Sequence, residues 1–131
     1  MSHITGTFDV KMTPQPADPA VGDPTVGRLA LDKQYHGVLS ATGKGQMLSV
    51  MGTVDSSAGY VAMERVSGSL DGRTGTFALQ HMGIMTRGIG ELTISVVPDS
   101  GTAELIGIAG TMKIINTDGQ HTYEFEYSLP G

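Results

Sequence analysis

Cysteine and tryptophan are absent from this sequence, and only four tyrosines and three phenylalanines occur in its 131 residues. Without cysteine there is no disulfide framework and no thiolate metal site, which fits a reducing compartment. Charge is sparse as well. Charged residues make up 16% of the chain at a net charge of -5, and the cations Lys11, Arg28, Lys33, Lys44, Arg65, Arg73, Arg87 and Lys113 are scattered singly. A chain with no basic stripe does not read as a nucleic-acid binder. Nor does any segment approach the roughly 20 consecutive apolar residues that a membrane helix needs, and MSHITGTFDV has neither the basic start nor the apolar run of a secretory leader. A cytoplasmic protein without membrane or nucleic-acid partners is the expectation. No segment carries a helical hydrophobic period over a useful length.

What the sequence does have is glycine, 19 residues, and methionine, eight residues. Abundant glycine suits many turns and strand bends. Methionine, with Val, Leu and Ile, must fill an interior poor in aromatic rings. At this length the chain forms one domain, residues 1–131.

Alternation with a period of two recurs along the chain. Ile4, Gly6, Phe8, Val10 and Met12 alternate with polar neighbours. The proline-rich run from Pro14 to Pro24 interrupts the pattern and reads as an extended connector or, alternatively, a lid. From Val26 to Gly37, Leu29, Leu31, Lys33 and Tyr35 share one face, so a lysine stands on the apolar side. Val38 to Val50 forms a third strand in which Gly43 and Gly45 suggest a bulge. The fragment TGKGQ within it lacks the spacing and the hydroxyl residue of a phosphate loop.

The most informative stretch runs from Ala58 to Gly83. Asp71-Gly72 accepts the positive φ values of a two-residue hairpin turn, which fixes the register. Leu70 then faces Arg73, Val66 faces Phe77, Glu64 faces Leu79 and Ala62 faces His81. Tyr60, Ala62, Glu64 and Val66 share a face with Phe77, Leu79 and His81, bringing one acid and one imidazole onto an otherwise apolar surface. Further on, Leu92, Ile94 and Val96 form a strand. A four-residue turn at Pro98–Gly101 aligns Val96 with Ala103, Ile94 with Leu105 and Leu92 with Gly107. The last hairpin turns at Asp118-Gly119 and gathers Met112, Ile114, Tyr123, Phe125, Tyr127 and Leu129 on the apolar side, with His121 near the turn. Eight or so short strands and no helix to cover them are best satisfied by an all-β, closed antiparallel barrel.

The pattern Gly68-x-Leu70-x-Gly72-x-x-Gly75-x-Phe77-x-Leu79-Gln80 resembles the central hairpin of plant allene oxide cyclases. The runs YVAMERVSGSLDGRTGTFALQHMG, VVPDSGTAELIGIAG and HTYEFEYSL resemble a bacterial family of small proteins of unknown function assigned to the allene oxide cyclase-like barrel. This second resemblance covers nearly the whole chain. It implies an eight-stranded barrel with an interior cavity and a homo-oligomer. In the plant enzymes the barrel holds an unstable fatty-acid epoxide, but the residues that act on it lie outside the matching motif, so the resemblance lends no catalytic residue.

Two readings of function follow. In the first, the barrel holds a small, largely apolar molecule, as a carrier or as an isomerase or cyclase. Glu64 and His81 would be its acid and base, and Lys33, Tyr35, Tyr60, Phe77, Leu79, His121, Tyr123 and Phe125 its contacts. The spacing of Glu64, His81 and His121 lacks a metal-binding signature, so neither a metal nor another cofactor is expected. In the second, Glu64 and His81 only satisfy each other inside a packed barrel, which acts through its outer face. The apolar outward positions Val61, Met63, Ala78, Met82, Val97 and Ile106 point to homo-oligomerisation under either reading.

Overall fold

A computed structural model describes residues 1–18 and 20–131; Pro19, within the proline-rich connector, lies outside the described residues. The chain forms eight antiparallel strands: β1 (Ser2–Pro14), β2 (Gly27–Gly37), β3 (Leu39–Met51), β4 (Ala58–Leu70), β5 (Arg73–Thr86), β6 (Ile89–Val96), β7 (Ala109–Thr117) and β8 (Gln120–Ser128). Each strand pairs with the next, and β8 returns to β1, closing the barrel. Closure leaves a single weak seam. Only Ile94↔Met112 and Ser95↔Thr111 join β6 to β7, against thirteen Cα pairs from Ala58↔Met85 to Leu70↔Arg73 between β4 and β5.

Three hairpins turn on two residues that both have positive φ: Asp71-Gly72 (49° and 79°), Arg87-Gly88 (49° and 88°) and Asp118-Gly119 (51° and 83°). Such turns match the right-handed twist of the strands they join. The β4–β5 register agrees with the sequence reading at every pair, and Thr117 faces Gln120 as expected. The hairpin at Arg87-Gly88 was hidden by the glycines around it.

Inward side chains of all eight strands fill the barrel. Tyr35, Leu70, Leu79, Tyr123 and Phe125 have no measurable exposure, and Phe77 stacks on Phe125 with ring centroids 5.8 Å apart. Met12, expected inside, protrudes at the end of β1 and is exposed.

Two local expectations are corrected. There is no bulge in β3, which pairs without a break to both β2 and β4. Its glycines serve close packing instead: a Cβ at Gly43 would overlap the Glu64 carboxylate, and one at Gly45 would overlap the Met63 carbonyl. The second correction concerns the link from β6 to β7, which is not a four-residue turn. Residues 97–108 fold back along the edge of β5 that β6 leaves unpaired. The Val97 amide donates to the Ala78 carbonyl (2.9 Å) and the Thr102 amide to the Thr76 carbonyl (2.8 Å), while the Ala78 amide donates to Ser100 Oγ (3.0 Å). A 3-10 turn at Ala103–Leu105 then drives Leu105 and Ile108 into the barrel end, where both are buried. The same segment covers Ala78, which is buried rather than outward and free, and Val97 is half-buried; Val61, Met63, Met82 and Ile106 are exposed as expected.

Candidate functional site

Glu64 is the centre of the polar interior. It projects inward from β4, between Ala62 and Val66, and its side chain has no exposed surface. A lone buried carboxylate would be heavily penalised, and this one is met on every side. Nε2 of His81, on β5, lies 2.9 Å from Oε1; a carboxylate oxygen only accepts, so the imidazole Nε2 carries the hydrogen. The Lys33 ammonium, on β2, donates to the same oxygen at 3.1 Å, and the Tyr35 hydroxyl donates to Oε2 at 2.5 Å. Four strands therefore contribute: β4 the acid, β5 the imidazole, β2 the cation and phenol, and β3 the gap at Gly43 through which the carboxylate passes.

Burial alone would raise the Glu64 carboxyl. The hydrogen bond from His81, the Lys33 charge and the Tyr35 hydroxyl outweigh it and hold Glu64 below its ordinary value of 4.5. Burial, reinforced by the adjoining Glu64 charge, pushes the Tyr35 hydroxyl well above the usual phenol range. Lys33 is 6% exposed and is fixed from its other side by aromatic faces, with Nζ 5.2 Å from the Phe8 ring centre and 5.8 Å from that of Tyr35. Among the described residues no buried side-chain donor or acceptor is left without a partner.

The sequence reading brought Glu64 and His81 together, and the structure does so too. It missed that Lys33 and Tyr35 complete the same cluster. The signal was a lone cation and a lone anion, each on an apolar strand face, but joining them requires the registers of β2 with β3 and β3 with β4. Phe77, Leu79, Tyr123 and Phe125 belong to the packed core; the Tyr123 hydroxyl donates to the His36 carbonyl at 3.0 Å. His121 is not among the side chains hydrogen-bonded to Glu64, and Phe8 and Lys33 stand between them. It packs on Phe8 at 5.1 Å and lines a surface cleft that also holds the exposed His36–Asp9 pair.

Open space occurs elsewhere, where β6 and β7 part. A cleft of about 630 Å³ there is lined by Tyr60, Gly83, Met85, Leu92 and Ile114, with Glu91, Lys113 and Glu124 at its rim. Tyr60 fills the inward space over Gly83, where a Cβ would overlap its ring. Gly83 is the next inward position after His81 on β5, so the cleft ends one aromatic ring from the polar cluster. Burial raises the Tyr60 hydroxyl above its ordinary value. Neither Glu64, His81, Lys33 nor Tyr35 lines this cleft. Leu92 and Ile114 read from sequence as apolar strand positions, but of the lining residues only Tyr60 was predicted as a ligand contact, because the seam is a tertiary feature.

A family model described as a protein of unknown function (DUF3224) matches residues 4–127. A crystal structure of a protein of unknown function from that family, from Shewanella oneidensis MR-1, superposes with a TM-score of 0.91 at 51% identity, covering 100% of this chain and 98% of that one. No curated protein matches.

Proposed function

This chain belongs to the DUF3224 family of proteins of unknown function, a description that assigns no activity, and we propose from the site itself that the barrel takes up a small, largely apolar molecule at the seam between β6 and β7. The observation that carries this reading is the cleft beside Tyr60: about 630 Å³, apolar within and polar only at its rim, in a barrel otherwise filled by its own side chains. Concave apolar sites with a few convergent polar groups are the usual form of small-molecule pockets. The ligand's apolar part lies against Leu92, Ile114 and the Tyr60 ring, and its polar part remains near Lys113 or the carboxylates at the rim.

Acid–base chemistry by the paired Glu64 and His81, as in an isomerisation, is the stronger form of this proposal. It needs Tyr60 to swing away from Gly83, because the acid and the imidazole are already hydrogen-bonded to each other and dehydrated. Carriage of the ligand needs no such movement.

A fluorescent fatty acid titrated into the purified protein tests the reading. Leu92→Glu introduces a charge into the apolar lining and should weaken binding roughly tenfold or more. Ile106→Glu, on an exposed position away from the cleft, should leave it unchanged. Absence of binding, or equal binding by both variants, defeats the proposal. The second reading, a barrel that acts only through its outer wall, draws support from the packed core beneath Tyr60.

A further inference from the structure

The two strand edges that part at the seam are matched to each other. Beyond Ile94↔Met112 and Ser95↔Thr111, each strand pairs on one side only: Ile89–Thr93 with β5 and Lys113–Thr117 with β8. The facing edges therefore carry backbone donors and acceptors that no ladder uses. Continuing the observed register one residue at a time opposes Thr93 to Lys113, Leu92 to Ile114, Glu91 to Ile115, Gly90 to Asn116 and Ile89 to Thr117. The next pair sets Gly88 against Asp118, so the extended ladder ends flush with the tips of the Arg87-Gly88 and Asp118-Gly119 hairpins.

The side chains fit that ladder on both faces. Leu92 and Ile114 stand two residues from the buried Ile94 and Met112 and take the same inward face, so the extension adds one apolar pair beside another. Glu91, Thr93, Lys113 and Ile115 take the outward face. There the register makes Glu91 the diagonal neighbour of Lys113, a separation that long side chains of opposite charge can bridge. Neither has an ionic partner among the described residues while the seam is open. Leu92, Ile115 and Ile89 are exposed in this state. Closure would remove the cleft itself, because Leu92 and Ile114, with Glu91, Lys113 and Ile115, line it.

We propose that β6 and β7 zip along this register, and that the cleft is the unzipped state, which a bound ligand holds open. The inference rests on the reading of the cleft as a ligand site and adds the control of that site. Ladder and ligand compete for the same two edges and for the same Leu92 and Ile114 side chains, so the apparent affinity falls in proportion to the fraction of molecules that are zipped.

A chain without cysteine makes the test direct. A disulfide needs Cα atoms within about 7 Å, so the double variant Ile89→Cys with Thr117→Cys reports closure of the ladder to its far end, and neither position lines the cleft. Ser95→Cys with Thr111→Cys is the positive control, since these residues already face each other on the same outward side of the same strands. Circular dichroism verifies that each barrel is intact. With oxidised glutathione both variants should form the intramolecular disulfide. The oxidised Ile89/Thr117 variant should then bind a fluorescent fatty acid about tenfold or more weakly than its reduced form, and added reductant should restore binding. Crosslinking of the control pair alone would overturn the zipping. Crosslinking at both pairs with unchanged binding would overturn the control of the site. If wild type and reduced variant alike fail to bind, the ligand reading falls and the competition with it, whereas the crosslink still decides whether the strands close.

Discussion

At the scale of single residues, the interior chemistry reduces to one carboxylate and three donors. Because Glu64 has a depressed folded-state pKa, its contribution to stability is complete above its ordinary value of 4.5 and is lost as pH falls below it through the lower folded value. Glu64→Gln leaves the Lys33 ammonium buried without its anion. That should cost about 3 to 5 kcal/mol at neutral pH. Chemical denaturation repeated at decreasing pH should show the gap between wild type and variant narrowing below about pH 4.5; a constant gap would mean that Glu64 is not ionised in the fold. Gly43→Ala asks whether the gap in β3 is required. A methyl group there would displace the Glu64 carboxylate from Tyr35, and denaturation should record a loss of about 3 kcal/mol. Half of this cluster was legible in the sequence. Glu64 and His81 lie on one hairpin whose Asp71-Gly72 turn fixes every pairing. Lys33 and Tyr35 reach Glu64 through two further registers, and Gly43, which permits the approach, looks in a linear reading like an ordinary strand glycine at a bulge.

At the scale of elements, the turns and the one irregular segment account for what the alternation of side chains leaves open. Arg87 holds φ 49° at the β5–β6 turn, a region where a long side chain gains nothing, and its amide donates to Ser57 Oγ at 3.0 Å. Asn tolerates this conformation better while keeping the amide, so Arg87→Asn should raise stability by roughly 0.5 kcal/mol, read from the denaturation midpoint. The segment 97–108 was the main misreading. Pro98, Asp99, Ser100 and Gly101 carry the chemistry of a tight turn, and Asp99 does hold φ 60°. The fate of the residues that follow, however, is set by the unpaired edge of β5, which offers hydrogen bonds to Val97, Ser100 and Thr102, and by a barrel end that needs Leu105 and Ile108 as filling. Neither demand is local. Strand existence, by contrast, was legible almost throughout, because inward and outward residues alternate and each barrel wall has one wet face.

At the scale of the whole molecule, a closed sheet with eight strands removes its edges everywhere except where β6 and β7 join through two Cα pairs. The same barrel therefore has a continuously paired half, β1 to β5, that holds the polar cluster, and an open seam at which the proposed ligand would sit apart from that cluster. The sequence implied closure, since no helix was available to cover a sheet, but which pair of strands would part was not legible. The two pairs that form lie beside the 97–108 link, where β6 ends and β7 begins, and the strands part toward their other ends, where Leu92 and Ile114 line the cleft.

The central claim is that the seam, and not the Glu64–His81 cluster, receives the ligand. The most direct measurement is a nuclear magnetic resonance titration of the isotopically labelled protein with a medium-chain fatty acid. Resonances of Tyr60, Gly83, Leu92 and Ile114 should shift together and saturate, while those of Leu79 and Phe125 in the packed core remain in place. Shifts confined to the outer β3–β5 wall, or none at all, would contradict the account.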